Sequence, residues 1–326
     1  MRNVFLLLPL SAYLLIAAEP AHQRDFTFEY NATVKDIPAG TQKLELWIPV
    51  PHDDPFQRIT DIKIETPVPY QILPGDQDNQ MLHLEINQPR ESSVPVTLTF
   101  HAVRLERIQP IEFAKTAAPE DDLSRWLKPD RLVPIDGQIS TWAHEVVEAA
   151  HAATDLEMAR AIYNHVVSTV KYDKTGKGWG RGDIYYACDA RRGNCTDFHA
   201  IFIGYARAVG IPARFAIGFP LPADRGAGKI GGYHCWAEFY AKGIGWIPVD
   251  ASEAAKNPAK REYFFGAHDE NRVEFSKGRD VVLTPKQQGD PLNYFVYPYA
   301  ELDGKPYASF ETSYSYRDSA AIASVQ

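Results

Sequence analysis

The sequence predicts an α+β protein: an antiparallel β-sandwich in the N-terminal third, then a unit in which a buried helix is followed by paired strands. Two observations carry this. Between residues 24 and 106, apolar and polar residues alternate with period two in short runs separated by Pro- and Gly-containing turns, the pattern of half-buried strands. Beyond residue 154 the apolar spacing lengthens to three and four, the helical period, before alternation returns at 234–240.

The chain begins with Arg2, an apolar run from Val4 to Ala18, then Glu19 and Pro20. This reads as a secretory signal peptide over residues 1–18. The run is short for a membrane span, so a secreted or periplasmic location with no stable membrane partner is expected. The sandwich, placed at 24–106 and of immunoglobulin type, is built from five runs: Phe26 to Val34, Leu44 to Ile48, Ile62 and Ile64, Leu82 to Ile86, and Val94 to Ala102. Residues 107–138, with Pro110, Pro119, Pro129 and Pro134, read as a linker. The second unit is placed at 139–318. Ser140 or Thr141 is expected to cap its first helix, and Thr154 with Glu157 forms a capping box for the next.

Lys174 to Asp183 reads KTGKGWGRGD. It lacks the lysine-then-hydroxyl ending of a phosphate loop and follows no strand, so it reads as one wall of a cleft. Next, Asn194 is a good N-cap with Asp197 in the first turn, followed by Phe198, Ile201, Phe202, Tyr205 and Val209 at helical spacing, stopped by Gly210 and Pro212. Gly231–Tyr240 and Gly243–Ala251 form a hairpin candidate joined at Lys242-Gly243. Aromatic segments at 263–265, 281–283 and 293–299 read as strands or packed loops. Tyr307, Phe310 and Tyr314 suggest a last strand before a disordered tail at 319–326.

Composition excludes several function classes. The 326-residue chain has a formal net charge of −8 and no basic run, which argues against nucleic acid as a partner. Losing Arg2 with the leader makes the mature chain one unit more negative. The three cysteines and 10 histidines form no Cys-x-x-Cys or His-x-x-x-His spacing. Cys195 and His199, at i and i+4, could face a zinc ion, but a packed helix histidine is the simpler account. No metal and no cofactor are expected.

The chemistry centres on Cys195. At the first turn of a helix, unpaired N–H groups favour a thiolate, and a thiolate paired with a histidine is a nucleophile. His234 begins one hairpin strand and Asp250 ends the next, so the carboxylate can hold the imidazole through Nδ1–H and leave the other nitrogen for the thiol.

The three segments GNCTDFHA, YHCWAEF and GWIPVDAS together resemble the transglutaminase-like superfamily of cysteine enzymes. The resemblance implies a papain-like core in which the nucleophile helix packs on an antiparallel sheet. It implies Cys195 as nucleophile, His234 as general base and Asp250 as orienting acid. Family members include cross-linking acyl transferases, peptidases and amidases, so mechanism is implied more closely than substrate. The expected function is cysteine-dependent acyl transfer on a peptide or carboxamide bond of a protein, peptide or cell-wall peptide. The alternative is a silent protein- or carbohydrate-binding module on the same fold. Trp179 or Tyr172 is expected to assist the Cys195 N–H in binding an oxyanion. Because Cys195 is assigned as a free thiol and the chain reads as exported, a Cys188–Cys235 disulfide is one expectation, and two buried free thiols are the alternative.

Overall fold

The computed structural model describes residues 22–109 and 122–319. The expected leader, the middle of the expected linker and residues 320–326 lie outside the described residues. In the N-terminal part, the strands are β1 (Gln23–Val34), β2 (Lys43–Val50), β3 (Gln57–Glu65), β4 (Gln71–Pro74), β5 (Gln80–Asn87), β6 (Val94–Leu105) and β7 (Arg107–Ile108). Helices α1 (Gly137–Ala149) and α2 (Asp155–Thr169) follow, then β8 (Lys171–Tyr172), α3 (Ile184–Ala190), β9 (Arg192–Gly193) and α4 (Cys195–Ala208). Next come β10 (Ala213–Pro220), β11 (Ala227–Ile230), β12 (His234–Ala241), β13 (Gly245–Val249) and α5 (Ala251–Lys256). The chain ends with β14 (Ala267–His268), β15 (Arg272–Lys277), β16 (Tyr299–Leu302), β17 (Lys305–Tyr307) and β18 (Phe310–Asp318). The α+β architecture read from the sequence, with antiparallel sheets and a helix-on-sheet core, is the one observed.

The sandwich is larger than the 24–106 segment that begins it. One five-stranded sheet runs β11-β18-β1-β6-β3 and the other β17-β16-β2-β5-β4. Phe26 pairs with Asp318 and Val34 with Phe310, so β1 lies between β6 and β18, the last strand among the described residues. A chain segment supplies a strand wherever its alternation matches an open edge, and nothing in a local pattern tells which distant edge that is. The expected linker is partly ordered as well: β7 pairs with β14, and Trp126 is buried. At the far end, Ser319 donates its backbone N–H to Asp25, so this residue belongs to the fold rather than to a tail.

Three local readings shift. In β3, Asp61 and Ile62 together face the one residue between His101 and Thr99, and Asp61 has φ +54°. This bulge turns Ile62 to solvent, and Ile59 takes the buried place. Helix α1 starts at Gly137 with Asp136 in the N-cap position, leaving Ser140 and Thr141 inside it. The strand pair β10 and β15 was not read from the sequence, although Phe215, Ile217 and Phe219 alternate. These strands complete a four-stranded sheet, β13-β12-β10-β15.

That sheet joins the two units. Phe219 and Phe275 reach across to Phe28, with ring centroids 5.4 and 5.6 Å away. Each such aromatic pair contributes roughly 0.5–1.5 kcal/mol beyond its buried area. A buried ion cluster adds to the junction. Glu238 on β12 accepts from Arg107 of β7 and, at 2.6 Å, from Arg214 of β10. These arginines hold the Glu238 carboxyl far below its usual range against the opposing effect of burial. Glu238→Ala would leave two guanidinium groups with no carboxylate between them, and a loss of about 3–5 kcal/mol is expected. Denaturant unfolding measures it; a loss under 1 kcal/mol would show that the cluster is solvated rather than structural.

Candidate active site

Helix α4 presents Cys195 at its first position. Asn194 caps it: the side chain accepts from Thr196 N–H at 3.0 Å, while the Asp197 carboxylate returns to Asn194 N–H at 2.9 Å. Asp197 does more than cap. Its oxygens also accept from Gly180 N–H (2.7 Å) and Gly182 N–H (3.1 Å), fastening the glycine loop to the helix start. Burial raises the Asp197 pKa, and these backbone donors pull the other way. Gly193 is dictated by this packing, since a Cβ there would lie 2.1 Å from Asp197 Oδ2.

Strand β12 delivers His234 to the same place. The ladder ends with Ala237 opposite Val249, so Asp250 lies one residue beyond it, diagonal to His234. His234 Nε2 is 2.7 Å from Asp250 Oδ2. The Nδ1 bond expected from the sequence is therefore corrected: the carboxylate takes Nε2, and Nδ1 is left for the sulfur. The reason is position, because Asp250 sits past the strand, as the N-cap of α5. Asp250 is the N-cap of that helix and accepts from Glu253 N–H and Ser252 Oγ, each at 3.0 Å. Arg272 Nη1 donates to Oδ2 at 3.1 Å. Cys195, His234 and Asp250 are all buried.

The protonation states follow from this geometry. Burial alone would raise the Cys195 pKa, but hydrogen bonds from Cys235 and His234, and the His234 charge, hold it well below the usual thiol value. Burial likewise opposes charge on His234, yet Asp250 and the Cys195 sulfur raise its pKa to about 10. Against the cost of burial, His234 and then Arg272 keep Asp250 ionised. The resting state is a thiolate beside an imidazolium that is held by a carboxylate.

Other side chains complete the site, and His199 is the packed helix histidine that its spacing suggested. His199 is fully buried beneath the pair; burial lowers its pKa to about 4, so its ring is neutral. Its Nε2 accepts from Ala251 N–H at 3.2 Å, which places its proton on Nδ1, 3.7 Å from Cys235 Sγ. Tyr233 hydroxyl bonds Asn194 Nδ2 (2.9 Å) and Thr196 Oγ1 (2.7 Å). The i, i+4 spacing of Cys195 and His199 and the D-x-x-E pattern of Asp250 and Glu253 were available signals. Nothing local marked Arg272, which lies on an unread strand.

Tyr172 lines the cleft in front of His234, whereas Trp179 is not among its lining residues. Burial, then the negative sulfur of Cys195, keep the Tyr172 phenol protonated. The expected Cys188–Cys235 disulfide is absent, and all three cysteines are free. Cys188 touches the Tyr205 hydroxyl at 3.5 Å, while Cys235 touches Thr196 and His199 at 3.7 Å. Those contact points are separated by roughly 9–13 Å along α4. The expectation took Cys235 to face away from the imidazole; at the strand's start, both His234 and Cys235 reach the same sulfur.

Residues 140–251 match a family model described as the transglutaminase-like superfamily. A Haemophilus influenzae protein, described only as uncharacterized, is 28% identical over 332 residues, covering 89% of either chain. Among solved structures, one described as a "putative cysteine protease" from Cytophaga hutchinsonii superposes with a TM-score of 0.61 at 16% identity. That superposition covers 92% of this chain and 94% of the other, so the likeness in fold spans the sandwich as well as the core. The matched segment carries Cys195 on α4, His234 on β12 and Asp250 at the start of α5, and it is in this segment that the chain is similar to the transglutaminase-like superfamily.

Proposed function

We propose that this chain is an exported thiol enzyme that cleaves or transfers an acyl group from a peptide or carboxamide bond. The buried thiolate–imidazolium pair, held by Asp250, is the observation that supports it most directly. The Cys195 sulfur attacks the carbonyl carbon and the carbonyl oxygen takes the negative charge. The Cys195 N–H, in the first turn of α4 with no intrahelical acceptor, and the protonated Tyr172 hydroxyl are the proposed donors to that oxygen. The His234 imidazolium gives its proton to the leaving nitrogen as the carbon–nitrogen bond breaks, leaving a thioester. Neutral His234 then takes a proton from water or an amine, which displaces the sulfur as thiolate and restores the pair.

Hydrolysis is the preferred outcome, on a protein or cell-wall peptide. Exposed lysines and an open approach leave water free to reach the thioester, and only strong exclusion of water favours an amine. Mass spectrometry of a glutamine peptide incubated with and without a primary amine decides it. Deamidated or cleaved peptide is the expected main product; a stable amine adduct as main product would overturn the hydrolytic choice.

A further inference from the structure

The cleft in front of His234, about 530 Å³, has a charge opposite to that of the chain around it. The protein carries 42 acidic and 34 basic side chains, yet the cleft lining holds Lys174, Lys229 and Lys256 against a single Glu253. Glu253 is neutralised by its contact with Lys256. Among the described residues, Lys174 and Lys229 have no carboxylate partner. They come from unrelated elements: Lys174 from the glycine loop, Lys229 from β11 at the edge of the sandwich. Lys174 and Lys256 both stand over the Tyr172 ring, their nitrogens 6.0 and 4.7 Å from its centroid. The His234 imidazolium on the same lining is paired with Asp250, so the unpaired charges of the lining are those of Lys174 and Lys229. Beside Lys229, Gly231 and Gly232 have no side chains to fill the approach.

We infer that the acyl donor is an anionic peptide, with a carboxylate one or two residues from the bond attacked, and that Lys174 and Lys229 select it. A cleft walled by one sign of charge concentrates ligands of the other sign and orients them on approach. The two lysines flank the cleft from the loop side and the sandwich side, and His234 lies on the same lining. The inference rests on Cys195 being the nucleophile.

Two alkylating reagents separate the two claims. Iodoacetamide is neutral and iodoacetate carries a carboxylate; both transfer a carbon to sulfur and release iodide. Failure of iodoacetamide to label Cys195 would end the nucleophile reading. Where it labels, the iodoacetate-to-iodoacetamide rate ratio of wild type is compared with that of the lysine variant, so that the His234 contribution, common to both, cancels. The ratio is expected to fall about three- to tenfold in the Lys174→Gln, Lys229→Gln double variant, and to fall in the wild type as salt is raised to 1 M. The kcat/KM of the wild type for glutamine peptides is expected to favour a neighbouring glutamate over a neighbouring lysine, with the preference lost in the double variant. An unchanged ratio, or a peptide preference that survives removal of both lysines, would overturn the inference.

Discussion

Cys195→Ala is expected to abolish turnover on glutamine and peptide substrates, lowering kcat on the order of ten-thousand-fold or more, while the protein stays folded. In the proposed mechanism this sulfur carries the acyl group, and groups that act as a unit lose nearly everything when one is removed. The fold should tolerate the change. Asn194, Asp197 and Thr196 still cap α4, and His234 keeps Asp250 as partner. Thermal unfolding read beside activity separates loss of chemistry from loss of structure. Full activity in a folded Cys195→Ala protein would refute the thiol mechanism.

His234→Ala is expected to have nearly as large an effect, and its sign can be read in pH. In the wild type, iodoacetamide should label Cys195 rapidly even at pH 6, because the imidazolium keeps the thiol pKa low. Without the imidazolium, burial is left as the largest influence on the sulfur, and burial raises a thiol. An ordinary thiol near 8.5 is about 300-fold less ionised than fully at pH 6, so labelling there should fall by at least that order. The rate should recover as the pH is raised toward 9. Cys188 provides the internal comparison, since burial already raises its pKa. A His234→Ala protein that labels at pH 6 as fast as wild type would mean that the helix start and Cys235 make the thiolate by themselves.

The helix and the strand of the candidate site were legible because their signals are local. Asn194, Asp197 and the apolar spacing after Cys195 lie within one helix, and the alternation around His234 lies within one strand. What was hidden depends on distance. Whether Asp250 takes Nδ1 or Nε2 is decided by where α5 starts relative to β12. Arg272 arrives on a strand 22 residues away from the carboxylate it holds. Trp179 and Tyr172 were indistinguishable as aromatic residues near a glycine loop; only the β8–β9 pairing, Lys171 with Arg192 and Tyr172 with Gly193, brings Tyr172 beside the nucleophile helix. The Cys188–Cys235 disulfide failed for a related reason. Elimination paired two cysteines by count, while the two touch α4 at points more than a turn apart.

The pairing of β1 with β18 sets an order for the birth of the active protein. Arg24 and Asp318 are bonded across 294 residues, and β18 also carries β11, the strand that brings Lys229 to the cleft. A chain that emerges from its N-terminus keeps one edge of β1 open until its last strand is made. Cys195, His234 and Asp250 are all synthesised well before that moment, but the wall opposite them is not yet backed. Long-range pairings are slow to close, so completion of the cleft trails completion of the thiol pair. A protein shortened before residue 310 carries its reactive sulfur without the surface that chooses what the sulfur meets.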